Sequence, residues 1–121
     1  DVEWPGRRVY VIGEMLELGD VSVKAHEDAG RLLAGSKADA VYLFGSETAA
    51  AAAVLDSCVS SGTARPGMRV FHTCDMDELI RTADAYVRKG DLVLLKGSRG
   101  CALERLCGIF EEGVQDVSRN L

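Results

Sequence analysis

The sequence is short of the features that usually announce a chemistry. It has four cysteines and two prolines in 121 residues. The cysteines (Cys58, Cys74, Cys101 and Cys107) show no Cys-x-x-Cys spacing, and the two histidines, His26 and His72, lie far apart. A structural zinc site is built from two close ligand pairs, so this pattern argues against one. All four thiols read as small apolar packers, and thiols without an export signal suit a reducing compartment. Long hydrophobic runs are missing too. The alanine-rich stretch from Thr48 to Leu55 spans eight uncharged residues, whereas a bilayer crossing takes about 20. The opening Asp1-Val2-Glu3-Trp4-Pro5 lacks the basic-then-apolar order of a signal peptide. The expectation is a soluble, cytoplasmic chain with no membrane partner.

Positive charge is in the minority. Fourteen Lys and Arg stand against 19 Asp and Glu, a net charge of −5. The cations look scattered, adjacent only at Arg7-Arg8 and Arg88-Lys89, which leaves no footprint for a phosphate backbone. A small molecule or a protein is the expected partner, with no nucleic acid. Familiar catalytic signatures are absent as well. The chain has no Gly-x-x-x-x-Gly-Lys-Ser/Thr phosphate loop, no Gly-x-Gly-x-x-Gly fingerprint and no Gly-x-Ser-x-Gly elbow.

What is present is a globular composition, 47% apolar and 27% charged, of a length that fits one domain over residues 1–121. Four short apolar runs punctuate it: Arg8–Gly13, Ala40–Gly45, Arg69–Thr73 and Asp91–Gly97. Continuous runs of this length suit strands buried on both faces, as in a parallel sheet. Each is followed by a helical pattern. Ser22 is placed to cap a helix to about Ser36, with Ala25, Ala29, Leu32 and Leu33 as its apolar stripe. Ser46 or Thr48 opens a second helix, ending near Gly62. Asp75 with Glu78 forms a capping box before Met76, Leu79, Ile80, Ala83 and Val87, with Gly90 as the stop. Leu103, Leu106, Cys107, Phe110 and Val114 mark a last helix. The class is therefore α/β: a Rossmann-like, three-layer α/β/α domain with a mostly parallel sheet and about four β-α units. Four strands are few for such a sheet, and Trp4-Pro5-Gly6 reads as a connector from something upstream, so a piece of a longer protein is expected.

Ligands of open parallel sheets gather beyond the carboxyl ends of the strands. The loop Lys96-Gly97-Ser98-Arg99-Gly100 offers two cations, a hydroxyl and a helix N-terminus, a combination suited to a carboxylate or phosphate. Arg99 has the fork to hold a carboxylate. The alternative is a turn whose cations are solvated or paired with Glu104. Glu14, Glu17 and Asp20, after the first strand, either accept hydrogen bonds from a ligand ammonium group or stay in water while Met15, Leu16 and Leu18 plug the sheet end. His26, beside Ala29, Gly30 and Leu33, is either a ligand contact or a hydrogen-bonded packing residue; His72, inside a strand, reads as structural.

Gly13-Glu14-Met15-Leu16-Glu17-Leu18-Gly19, then Ser22 and His26, then Lys96-Gly97-Ser98-Arg99-Gly100 with Glu104, resemble the C-terminal domain of Mur ligases, over about Arg7 to Phe110. The nearest branch is the one that adds D-alanyl-D-alanine to a UDP-N-acetylmuramoyl-tripeptide. The resemblance implies a cytoplasmic, three-domain enzyme of peptidoglycan synthesis using ATP and Mg2+: the N-terminal domain holds the UDP end, the central domain carries the phosphate loop and metal ligands, and this domain receives the amine substrate and swings in to complete the ATP site. No cofactor is expected in this chain alone. It also implies that Lys96, Ser98 and Arg99 contact the dipeptide, that Gly45 and Ser46 line the same site, and that Glu14 and His26 lie beside it. No catalytic residue falls in this chain, which is expected to be inactive in isolation. The family usually carries Asp at the position of Glu14, and its opening Asp-Asp-x-Tyr-Asn-Ala-Asn-Pro segment does not occur here, which implies an N-terminally truncated domain. Two other readings compete: a receiver-like or ligand-sensing α/β module, and a non-catalytic Mur-ligase-like partner domain.

Overall fold

The computed structural model of the chain describes residues 6–13, 21–88, 90–96 and 114–116, the last three as backbone only. The elements run β1 (Arg8–Gly13), α1 (Ser22–Ala34), β2 (Ala40–Phe44), a single 3-10 turn (Ser46–Thr48), α2 (Ala49–Ser61), β3 (Arg69–Thr73), α3 (Met76–Tyr86), β4 (Leu92–Lys96) and β5 (Val114–Asp116). All five strands pair in parallel, in the order β3-β2-β1-β4-β5. The α/β, Rossmann-like expectation holds. The sheet is one strand wider than the apolar runs indicated. Val114, placed by its spacing on a last helix, opens β5 instead. Leu103, Leu106, Cys107 and Phe110 lie outside the described residues.

β1, β2 and most of β4 are apolar on both faces because helices cover both, whereas β3, expected to be buried likewise, is exposed at Arg69 and half-buried from Val70 to His72. Tyr10, Val41 and Leu43 point to one side, where Leu33 and Ala34 of α1 and Ala51, Ala52 and Leu55 of α2 meet them. Val9, Val11, Ala40, Tyr42, Val93 and Leu95 point to the other side and pack under Leu79 and Ala83 of α3. Each fully buried Leu or Val contributes about 1.5–3 kcal/mol relative to an exposed one. Burial pushes the phenols of Tyr10 and Tyr42 upward, and both rings stay neutral.

Several local expectations need correction. Helix α1 begins at Ser22 rather than being capped by it, since Val21 occupies the cap position. Leu32 is 78% exposed and Ala25 and Ala29 are only half-buried; the buried stripe is His26, Gly30, Leu33 and Ala34. Cys58, half-buried, packs against the core beside α2 as expected, whereas Cys74 is exposed and packs nothing in the core. Cys101 and Cys107 lie outside the described residues. At α3 the Asp75 carboxylate accepts from the amides of Asp77 (2.9 Å) and Glu78 (3.4 Å). Glu78 completes no direct capping box. Its carboxylate accepts from the Thr73 hydroxyl, whose oxygen accepts the Asp75 amide at 3.0 Å, so Thr73 relays the contact. Gly90 does not stop the helix either; α3 ends at Tyr86, where Val87 turns extended.

That early stop has a cause. Arg7 donates to the Tyr86 carbonyl (2.7 Å) and, through Nε and Nη2, to both Asp91 oxygens (3.1 and 2.7 Å). Asp91 also accepts the Arg88 amide at 2.8 Å. One buried carboxylate thus ties together the start of β1, the end of α3 and the start of β4. Burial works to raise the Asp91 pKa, but the hydrogen bonds from Arg7 and Arg88 outweigh it and hold the carboxyl below its ordinary value.

Two predictions follow from this packing. A Cβ on Gly30 would sit 2.7 Å from the Ala51 carbonyl oxygen and 3.1 Å from its Cα, so α1 and α2 are this close only because Gly30 has no side chain. Overpacking outweighs the gain of up to about 1 kcal/mol in helix propensity, and Gly30→Ala should destabilise by about 1–2 kcal/mol in urea unfolding. Unchanged or increased stability would contradict it. For Asp91, a depressed folded pKa means stability that is present above the unfolded value and lost as pH falls through the folded one. Asp91→Asn should cost about 1–2 kcal/mol at neutral pH, and the gap to the parent should close on acidification. A gap that stays constant into strong acid would show that the carboxylate charge carries none of the effect.

Candidate functional site

The strand order determines where a site can lie. Strand β1 leads through α1 over one face to β2, while β4 is reached from α3 over the other face. The chain directions diverge between β1 and β4, which makes their carboxyl ends the switch point of the sheet. The register sets Ile12 opposite Lys96, and Gly13 opposite Phe44, which in turn faces Thr73. Neighbouring strands lie about 4.8 Å apart, so the segments leaving β1 and β4 start side by side.

Of the residues singled out from sequence, Lys96, Gly45, Ser46 and His26 are described, and all four belong to this edge. Glu14, Ser98 and Arg99 lie outside the described residues, as do Glu17 and Asp20. Lys96 is the last residue of β4, exposed, with no ion pair among the described residues. Ser46 is exposed on the 3-10 turn after β2.

Gly45 is the anchor of that turn. Its φ of 108° with ψ of 154° is a conformation open to glycine almost alone. Its carbonyl accepts three hydrogen bonds: from the Thr48 amide (3.1 Å), the Thr48 hydroxyl (2.7 Å) and His72 Nε2 (3.0 Å). Because a carbonyl only accepts, His72 carries its proton on Nε2. Its role is structural: from β3 it pins the loop after β2.

His26 is 2% exposed, one turn into α1. Its Nδ1 lies 2.7 Å from the Ser22 carbonyl and 3.3 Å from the Ser22 hydroxyl. Because a carbonyl only accepts, Nδ1 holds a proton. The Ser22 hydroxyl donates to Glu47 Oε2 at 3.0 Å, joining the start of α1 to the turn that carries Gly45 and Ser46. Glu47 and Ser22 are thus the residues that bring the His26 end of α1 against the second loop. The sequence marks Ser22 as a cap and places Glu47 in the loop after the second strand, without a role of its own. The only available signal was an acid next to Ser46 in the first turn after a strand.

Gly45→Ala should lower stability by about 2 kcal/mol or more, since the alanine must leave this conformation and release the carbonyl that His72 and Thr48 share. Urea unfolding checks the energy, and the His72 ring proton signals check the lost bond. A variant as stable as the parent with unmoved His72 signals would overturn the anchor.

Comparison with known proteins agrees with this fold. The family model described as "Mur ligase, glutamate ligase domain" matches residues 2–99. The UDP-N-acetylmuramoyl-tripeptide–D-alanyl-D-alanine ligase of Treponema pallidum is 44% identical over 99 residues, covering 82% of this chain and 20% of that protein. The enzyme of the same name from Bacillus subtilis is 31% identical over 107 residues, covering 87% and 22%. Among solved structures, the MurF ligase of Thermotoga maritima in complex with ADP superposes with a TM-score of 0.63 at 28% identity, covering 91% of this chain and 23% of that one. MurF from Acinetobacter baumannii gives 0.60 at 30% identity, covering 85% and 22%. The chain spans about a fifth of the length of the relatives it matches. With a family model spanning most of its length and strands in the order that places a ligand crevice between β1 and β4, the chain belongs to the Mur ligase family, through its glutamate ligase domain.

Proposed function

We propose that this chain is the amine-substrate domain of a cytoplasmic, ATP-dependent ligase that joins D-alanyl-D-alanine to a UDP-N-acetylmuramoyl-tripeptide in peptidoglycan synthesis. The observation that carries the reading is the β1/β4 switch point, which starts the Glu14 loop and the Lys96-to-Gly100 loop from adjacent strands. A free dipeptide has an ammonium at one end and a carboxylate at the other. An acidic loop and a basic loop leaving neighbouring strands match that pair of charges. Lys96, Ser98 and Arg99 hold the carboxylate, Arg99 through a bidentate fork. Glu14 faces the ammonium end. Gly45 and Ser46, held by His72, Thr48 and Glu47, form the neighbouring wall, with His26 beneath it.

In this reading the domain positions a nucleophile. ATP supplies the acyl phosphate that makes the tripeptide carboxyl reactive. The domain holds the dipeptide amine, once deprotonated, within reach of that carbonyl carbon; the C–N bond forms as phosphate leaves. Fixing two reactants in a productive geometry is worth several kcal/mol without any acid or base from this chain. ATP and Mg2+ belong mainly to the other parts of the ligase, whose central domain carries the phosphate loop and metal ligands, and this domain closes over the ATP.

Steady-state kinetics of the full-length ligase test the assignment. Losing charge-assisted hydrogen bonds worth about 1.5–3 kcal/mol, Arg99→Ala should raise the KM for D-alanyl-D-alanine about ten-fold or more, with little change in the KM for ATP. An unchanged dipeptide KM would remove Arg99 from the site. Mixed with ATP, the UDP-linked tripeptide and the dipeptide, the 121-residue chain alone should release no phosphate; turnover above background would contradict the division of labour.

A further inference from the structure

The scattered cations of the sequence do not stay scattered. At the amino edge of the sheet, opposite the carboxyl-end loops, Arg7, Arg69, Arg81 and Arg88 line one open cavity of about 560 Å³ together with Thr82, Ala85 and Tyr86. Arg7 precedes β1, Arg69 opens β3, and the others come from the end of α3 and the turn after it. A cavity of this volume is the size of a small-molecule site.

The four guanidinium groups are not equivalent. Arg7 is spent on Asp91 and the Tyr86 carbonyl. Arg88 is spent on the carbonyls of Ala85 (2.6 Å) and Val87 (3.0 Å). Together they cover the carbonyls that would give the end of α3 its negative potential. Arg69 rests over the Tyr86 ring at 5.1 Å and has no ion pair, and Arg81 has neither an ion pair nor a hydrogen bond among the described residues. Behind them, the fully buried Tyr42 sets its ring edge-on to Tyr86, with centroids 6.1 Å apart. Its buried hydroxyl has no hydrogen bond of good geometry and is approached by the Arg69 guanidinium, which with Arg7 partly offsets the upward push of burial on the phenol. Arg69 and Arg81, neither in an ion pair among the described residues, thus face one hollow beside Tyr86.

We propose that this cavity is a second anion site, distinct from the dipeptide crevice, for a phosphate ester or diphosphate of a small molecule. Arg69 and Arg81 hold the phosphate oxygens, and Tyr86 offers an apolar wall to the rest of the ligand. A phosphate group presents three oxygens to donors arriving from different directions, which Arg69 on the sheet and Arg81 on the helix supply; a single carboxylate has only one plane to share.

The test is a titration of the full chain, labelled with nitrogen-15, with inorganic pyrophosphate at fixed ionic strength, following backbone amide signals. Saturable shifts are expected at Thr82, Ala85 and Tyr86. The exposed double variant Arg69→Gln/Arg81→Gln should bind roughly ten-fold or more weakly, while Arg69→Lys/Arg81→Lys regains part of the affinity. Lys96→Gln, at the other edge, should leave these shifts in place, which separates this site from the dipeptide crevice. The proposal is overturned by shifts confined to the Gly45 and Lys96 edge, by equal affinity in the Gln double variant, by succinate binding as tightly as pyrophosphate, or by no saturable shift at all.

Discussion

Parallel pairing of β1 with β2 on one side and β4 on the other decides where every other part of the molecule goes, because parallel strands can be rejoined only by crossovers above or below the sheet. The crossovers bury both faces, so polar and charged side chains are driven to the two ends of the strands. All strand starts lie at one end and all strand stops at the other. The molecule therefore has two polar edges of different character, separated by strands of about 17 Å.

The amino edge is stapled. The Asp39 carboxylate accepts the Arg8 amide at 2.8 Å, and the Asp39 amide donates to the Arg8 carbonyl at 2.8 Å, which extends the β1–β2 ladder past its end. Asp91 does the same work for β1 and β4 through Arg7, and the Leu92 amide continues that ladder to the Arg7 carbonyl at 2.9 Å. The carboxyl edge is held differently. One glycine carbonyl gathers Thr48 and His72, and a serine hydroxyl reaches a glutamate across two loops.

Much of this was legible in the sequence. The apolar runs from Arg8, Ala40, Arg69 and Asp91 mark β1 to β4 to within a residue, and in β1, β2 and β4 burial on both faces leaves no room for polar interruptions. Strand β5 was not legible: Val-Gln-Asp is too short and too polar to show a period, and it exists through pairing with β4. Leu32 and Leu33 look alike as neighbours on a helix, yet only one can face α2, and the sequence does not say which way α1 turns. The edge of the site could be read from glycines and charges after each strand. The Ser22–Glu47 bond and the Arg7-Arg69-Arg81-Arg88 cavity could not, since both join residues that only the β1-centred strand order brings together.

The central claim is that the carboxyl ends of β1 and β4 receive the two charged termini of one small peptide. A crystal structure of the full-length ligase with D-alanyl-D-alanine bound measures this most directly. The account predicts the dipeptide carboxylate within hydrogen-bond distance of the segment after Lys96 and its amine toward the segment after Gly13. A dipeptide seated at the amino edge against Arg69 and Arg81, or over a helical face, would contradict it.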